Sequence, residues 1–387
     1  MGQPRETIPL ARPQIGEREE ELVLEVLRSG RLSLGPMQQR FEREFADYLG
    51  VADAVALSSG TTALHLGVRA LGWRDGDEVV TSPFSFVASA NCLLYEGVKP
   101  VFCDVDPVTL NIDPAGVWDA ITDQTKGLLP VDILGYPAAM PALEAVAREG
   151  GLDLLEDACE ALGARDGEGR LVGSRGTLAT FAFYANKQMT TGEGGMLAVS
   201  DPEIAARLRS ERNQGRAPNM DWVDHDRLGF NYRLTEIAAA LGVAQLEHLD
   251  QMLADRASAA ALYSERLSSL GGVAGAGDPG ALVLPCADDD PERRSWFVYA
   301  VRLPLHADRN SVVAELARRG VEAKAYMPAI HLMTHMRERF GFESGQFPVA
   351  EDASARLLAL PFFPAISEGA IDRVAEALAE ALHGHTT

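Results

Sequence analysis

Between residues 17 and 50, apolar side chains recur at helical spacing in two stretches, "EREEELVLEVLRSG" and "MQQRFEREFADYLG". Each closes on a glycine, Gly30 and Gly50, the residue that most easily takes the left-handed turn after a helix. From there to about residue 200 the pattern changes. Short β-forming runs ("ADAVALSS", "DEVVTSP", "KPVFCDVD", "KGLLPVDILG", "LDLLEDAC", "LATFAFY" and "GMLAVSD") alternate with helical patterns such as "GTTALHLGVRALG", "ASANCLLYEG" and "AMPALEAVAREGG". Largely apolar runs separated by helices predict a mostly parallel sheet covered on both faces.

A long helical pattern, "TEIAAALGVAQLEHLDQMLADRASAAALYSERLSSL", then starts at Thr235 and leads toward a second unit. There "WFVYAVRLP" reads as a strand and "DRNSVVAELARRG" as a helix, with Asp308 or Asn310 near its N-cap. The final helix is "SEGAIDRVAEALAEALHG". The chain of 387 residues can bury two cores. The expected division is a large domain over residues 1–250 and a smaller α/β domain over 251–387.

Charge narrows the function. The net charge is -21 and no basic run occurs. Nucleic acid is therefore excluded as a partner, because phosphate contacts need clustered Lys and Arg. An anionic ligand would need local backbone donors to overcome that field. Cys92, Cys103, Cys159 and Cys286 show neither CxxC nor Cys/His metal spacing, so no disulfide framework and no metal site is expected. The first 21 residues lack the apolar segment of a signal peptide, and Glu6 stands where a myristoylation motif wants Ser or Thr. No stretch approaches a membrane span. The expectation is a cytoplasmic protein without a membrane partner.

Ligands of open α/β sheets bind beyond the carboxyl ends of the strands, and three candidate groups fall there. In "SSGTTALHL" a strand gives way to Gly60 and Thr61 at a helix start, where free N–H groups and the helix dipole favour an anion. The GxGxxG pattern of dinucleotide sites is absent. In "LLEDACEALGA", Asp157 and Glu160 follow an apolar strand. In "FAFYANKQMTTGEGGM", an aromatic run ends at a lone Lys187 before a glycine-rich loop. Singly, each feature also fits a helix cap or a structural lysine. Jointly they are what pyridoxal 5′-phosphate (PLP) requires: a phosphate cradle, a carboxylate for the pyridine nitrogen and an amine for the aldehyde.

On these stretches, with "SPFSFVASANCLLYEGVKPVFCDVD", "GFNYRLTEIAAALGVAQL" and "FPVAEDASARLLALPFFP", the chain resembles the DegT/DnrJ/StrS-type nucleotide-sugar aminotransferases, with perosamine-synthase-like features. The resemblance implies the aspartate-aminotransferase fold (fold type I), with a large, mostly parallel seven-stranded sheet. It implies that Lys187 is the Schiff-base lysine and catalytic acid–base group, and that Asp157 partners the pyridine nitrogen. It places Gly60 and Thr61 on the phosphate, Phe86 against the ring and Glu160 near the phenolic oxygen. Asn231 would reach the cofactor of a second subunit, so that a homodimer shares its active sites. Tyr326 and His331 of "AYMPAIHL" would line the substrate pocket. Two departures stand out: Ala182 occupies a place where members commonly carry a phosphate-binding Ser, and Glu160 one where many carry Gln. The implied reaction moves an amino group from L-glutamate to a nucleotide-linked keto-sugar, with a 4-keto-6-deoxyhexose expected over a 3-keto sugar. PLP-dependent sugar dehydration is the alternative within the family, although those members have His in place of the lysine.

Overall fold

The computed structural model describes residues 7–217, 224–273, 280–288 and 290–383. Helices α1 (Glu17–Ser29) and α2 (Pro36–Leu49) end where Gly30 and Gly50 take φ of 69° and 71°, as their terminal glycines predict. The seven β-forming runs become β1 (Asp53–Leu57), β2 (Glu78–Thr81), β3 (Lys99–Phe102), β4 (Thr125–Leu129), β5 (Asp153–Asp157), β6 (Leu178–Ala182) and β7 (Gly195–Val199). They form one sheet in the order β1-β7-β6-β5-β4-β2-β3. All pairings from β3 to β6 are parallel, whereas β7 runs antiparallel to both β6 and β1.

The connecting helices are α3 (Gly60–Ala70), α4 (Ala88–Tyr95), α5 (Pro114–Ala120), α6 (Met140–Gly150) and α7 (Pro202–Glu211). Both faces of the sheet are buried. In β1, Val55 and Leu57 join a core with Leu64, Leu66 and Val68 of α3 and Leu208 of α7. The alternate Ala54 and Ala56 join one with Leu22 of α1 and Phe41 and Phe45 of α2. Met196 and Leu197 of β7 divide in the same way. Burial on two sides explains why the strands read as continuous apolar runs rather than as alternations.

The long pattern after Thr235 is not one helix. It breaks at His248 (φ -110°, ψ 2°) into α8 (Glu236–Glu247) and α9 (Leu249–Leu267). The break follows from what the two halves bury. Helix α8 packs on α1 and α2. Helix α9 sends Ala259, Ala260, Tyr263 and Leu267 into a separate C-terminal core. That core lines a second sheet, β11-β12-β10-β9-β8, built from β8 (Gly271–Val273), β9 (Leu282–Leu284), β10 (Tyr299–Arg302), β11 (Lys324–Ala325) and β12 (Leu357–Leu360). It is covered by α10 (Arg309–Arg318) and α13 (Glu368–His383), while α11 (Thr334–Phe340) and α12 (Pro348–Arg356) connect them. Asp308, not Asn310, caps α10, accepting from the Ser311 N–H at 2.8 Å. Ile8, ahead of α1, also joins this core and donates its N–H to Gly320 O at 2.9 Å. Among the described residues, no helix is long and apolar enough to cross a membrane.

Candidate active site

The site is assembled at the carboxyl ends of β1, β5 and β6. Helix α3 begins there, one turn of serine and threonine hydroxyls closing its first loop. Ser59 Oγ accepts from the Thr62 N–H at 3.1 Å, and Thr62 Oγ1 accepts from the Ser59 N–H at 3.0 Å. Among the described residues the Gly60 and Thr61 amides, next in line, have no partner. A Cβ on Gly60 would stand 2.6 Å from Ala182 Cβ and 3.2 Å from Cys159 Sγ. One on Gly195 would stand 2.3 Å from Ser59 O. The glycines on both sides therefore let the α3 N-terminus sit directly on the ends of β6 and β7. This explains part of the glycine-rich loop after Lys187: it makes room for the turn that starts another element.

Asp157 ends β5, 3% exposed. Its Oδ2 accepts from Ser89 Oγ at 2.7 Å, with Ser85 Oγ 2.8 Å behind Ser89, and its Oδ1 accepts from the Cys159 N–H at 3.2 Å. Both donors are neutral, and among the described residues no Lys or Arg forms an ion pair with this carboxylate. Behind it lies a second acidic feature. Asp132 and Glu156 are fully buried, and each has one oxygen fixed by an amide: Oδ1 of Asp132 by Ala138 at 2.7 Å, Oε1 of Glu156 by Gly173 at 3.1 Å. Their other oxygens, Oδ2 and Oε2, have no donor. Burial, and then the neighbouring carboxylate, pushes the Asp132 carboxyl well up; burial pushes Glu156 up to about 7. A proton shared between the two carboxyls would satisfy both free oxygens.

Lys187 lies five residues past β6, in a loop closed by the Phe183 N–H on Gly194 O and the Thr191 N–H on Phe183 O, at 2.9 and 3.0 Å. Its Nζ stands 3.4 Å from Glu160 Oε1 and 4.0 Å from the centroid of the Phe297 ring. Glu160 Oε2 accepts from the Leu134 N–H at 2.9 Å. Burial pushes the Glu160 carboxyl above its ordinary value, and the Lys187 ammonium pulls against it. Tyr326 faces the same cluster, its ring 6.0 Å from Phe297, and burial followed by the Glu160 charge pushes its hydroxyl well up. Lys187, Glu160 and Tyr326 thus meet, together with Phe297, which the sequence did not single out.

The remaining expected residues do not join this cluster directly. Phe86 precedes α4 and its carbonyl is 3.1 Å from Ser89 Oγ, but its side chain is 60% exposed. Asn231 is exposed, on the segment that bridges to Asn213 and runs beside β1. His331 lies apart from the Lys187 cluster. It is fully buried among Phe102, Phe342 and Phe347, with Nε2 3.1 Å from Glu351 Oε1. Burial lowers its pKa. Its Nδ1 has no partner.

Residues 13–379 match the DegT/DnrJ/EryC1/StrS aminotransferase family. The chain belongs to that family. Its members are PLP-dependent sugar aminotransferases, and the fold is that of fold type I enzymes. Among its relatives, the GDP-perosamine synthase of Caulobacter vibrioides is 38% identical over 97% of this chain and 98% of its own length. The spore coat polysaccharide biosynthesis protein SpsC of Bacillus subtilis is 35% identical over 97% of each. Among solved structures, DesV of S. venezuelae superposes with a TM-score of 0.86 at 34% identity, covering 94% of this chain and 93% of that one. The residues present fit the cofactor of the family. The paired free amides at Gly60 and Thr61, the carboxylate of Asp157 with only neutral donors, and the amine of Lys187 match its phosphate, pyridine and aldehyde ends.

Proposed function

We propose that this aminotransferase binds PLP and moves an amino group from L-glutamate to a nucleotide-linked 4-keto-6-deoxyhexose. The observation that carries the proposal is the convergence, at one end of the sheet, of the α3 turn, Asp157 and the Lys187–Glu160 pair. When bound, PLP supplies the carbonyl that exchanges with the amino group and the ring that stores the electron pair. The protein supplies the rest. The Gly60 and Thr61 amides and the α3 dipole take the phosphate against the chain's negative charge. Asp157 holds a proton on the pyridine nitrogen, its position fixed by Ser89 and Cys159. Lys187 Nζ would hold the cofactor covalently and, when free, would serve as the acid–base group that moves the proton at the reacting carbon. Glu160, buried beside it, receives or returns that proton at Nζ through Oε1. Phe86 covers the ring from the exposed side.

The 38% identity to a GDP-perosamine synthase supports the 4-keto acceptor. The exposed Asn231, with exposed Phe86 and Tyr184, supports a homodimer in which each subunit completes the other's site. We also place the domain boundary near residue 250, at the break between α8 and α9. The test is a panel of nucleotide-linked 4-keto and 3-keto sugars incubated with holoenzyme and glutamate, the new C–N bond located by NMR. Amination at C-4 is expected. Exclusive C-3 amination overturns the acceptor, and a deoxygenated product without nitrogen overturns transamination.

A further inference from the structure

Arg256, in the second turn of α9, is 3% exposed and has no carboxylate partner among the described residues. Its hydrogen bonds go to three backbone carbonyls. Nη1 donates to Trp296 O and Phe297 O, each at 3.2 Å, and Nη2 donates to Lys187 O at 3.1 Å. Its Nε has no partner, and its guanidinium lies 5.6 Å over the Phe362 ring. Burial lowers its pKa to about 10. A buried cation without a counter-charge is costly, and an apolar side chain of similar volume would fill the space more cheaply. The three carbonyls indicate what is gained. They belong to the two segments that bring the Lys187 amine onto the face of Phe297.

We infer that Arg256 is a positioning residue that fixes the Lys187 amine over Phe297 and beside Glu160, an inference resting on the proposal that Lys187 bonds the cofactor. The planar guanidinium spans separate acceptors in a fixed fork, which a lysine ammonium cannot do. Here it ties the lysine loop to the 295–297 segment, 109 residues further along the chain (296 less 187). The same two segments are joined again next door. Gln188 Nε2 donates to Ser295 Oγ at 2.7 Å and also to Glu160 O, and the Ser295 N–H donates to Gly135 O at 2.9 Å. Trp296 adopts a left-handed backbone (φ 52°), rare for a bulky residue, and its carbonyl is one of those Arg256 holds. Without the fork, only the Gln188–Ser295 link, among the described residues, still ties the Lys187 and Phe297 segments together, while the α3 turn and Asp157 keep their own anchors. Arg256 therefore governs how fast Lys187 reaches the cofactor more than how tightly the cofactor binds.

That separation is the test. PLP is added to apoprotein of wild type, Arg256→Met and Arg256→Lys. The rate of covalent attachment is followed by borohydride trapping and peptide mass, and equilibrium affinity by dialysis of Lys187→Ala and Lys187→Ala/Arg256→Met proteins. Attachment is expected to slow about tenfold to a hundredfold in both single variants, the loss typical of an ångström-scale misplacement. Affinity is expected to change less than about threefold, well below that loss. In an Arg256→Ala variant, which leaves the guanidinium's place empty, dilute guanidinium chloride is expected to speed attachment, and sodium chloride at the same concentration is not. Attachment at the wild-type rate in either single variant overturns the inference, as does a loss of affinity equal to the loss of rate. Arg256→Lys keeps the charge and serves as the decisive variant if Arg256→Met does not fold. Wild-type protein that attaches PLP at another lysine, or at none, overturns the cofactor assignment itself.

Discussion

Lys187 is half enclosed by two unlike surfaces, the carboxylate of Glu160 and the ring face of Phe297. The carboxylate accepts a hydrogen bond from Nζ and the ring face packs against it, so the two contacts together fix where Nζ stands. Lys187→Ala is expected to abolish turnover while leaving PLP bound without a covalent link, which denaturing gel filtration after borohydride treatment reads directly. Turnover near the wild-type rate would reject the assignment. A second expectation at this scale concerns the Asp132–Glu156 pair. A carboxyl whose pKa is raised by folding adds stability that is full below its unfolded value and lost as the pH rises through its folded value. For Glu156 that window runs from the ordinary 4.5 up to about 7. Urea unfolding of the wild type is expected to lose stability across it. Glu156→Gln, which cannot titrate there, is expected to show a flatter profile. Parallel profiles for the two proteins would show that no proton is shared.

The elements matter through their ends. The start of helix α3 sits against β6 and β7 because Gly60, Ala182 and Gly195 are small, and Ala182 carries a methyl where a hydroxyl could point at the proposed phosphate. Ala182→Ser is expected to slow the loss of PLP on dialysis, with the gain from one charge-assisted hydrogen bond on the order of 1.5–3 kcal/mol. Faster loss would mean that the hydroxyl crowds Gly60 instead. Much at this scale was legible in the sequence. The seven strands and the helices between them follow from apolar runs, caps and terminal glycines, which are local signals. The placement of Lys187, Asp157 and the α3 turn at one end of the sheet was legible too, because each follows the end of an apolar run. The short strands Gly271–Val273, Leu282–Leu284 and Lys324–Ala325 were not, since two or three residues carry no period. Nor was the break at His248, where the apolar pattern continues and only the packing partner changes. Phe297 and Arg256 were hidden for another reason: each acts on Lys187 across a sequence distance that no local pattern spans. His331 shows the converse, a residue in a recognisable motif that the fold wraps in aromatic rings.

At the scale of the whole molecule, Phe86, Tyr184 and Asn231 are exposed in the single chain, and the proposed site would open on them. In the proposed dimer a second subunit closes it. Sedimentation is expected to show a dimer in the PLP-loaded protein, and an active, loaded monomer would reject the shared site. Asn231→Ala is expected to weaken PLP retention by about 1.5–3 kcal/mol, the worth of one hydrogen bond to a charged group, without dissociating the dimer. The sheet order has a consequence of its own for the growing chain. Strand β1 has a single neighbour in the sheet, β7, with Asp53 opposite Val199, a separation of 146 residues (199 less 53). At a synthesis rate of 5–20 residues per second, β1 and the turn that starts α3 wait roughly 7–30 s on the ribosome for the strand that anchors them. Throughout that interval the turn that starts α3 has no floor, since Gly195 has not yet been made. On the proposed assignment, cofactor binding is therefore closed to the nascent chain until the lysine loop itself has emerged, and the ligand would not be captured before the residue proposed to bond it.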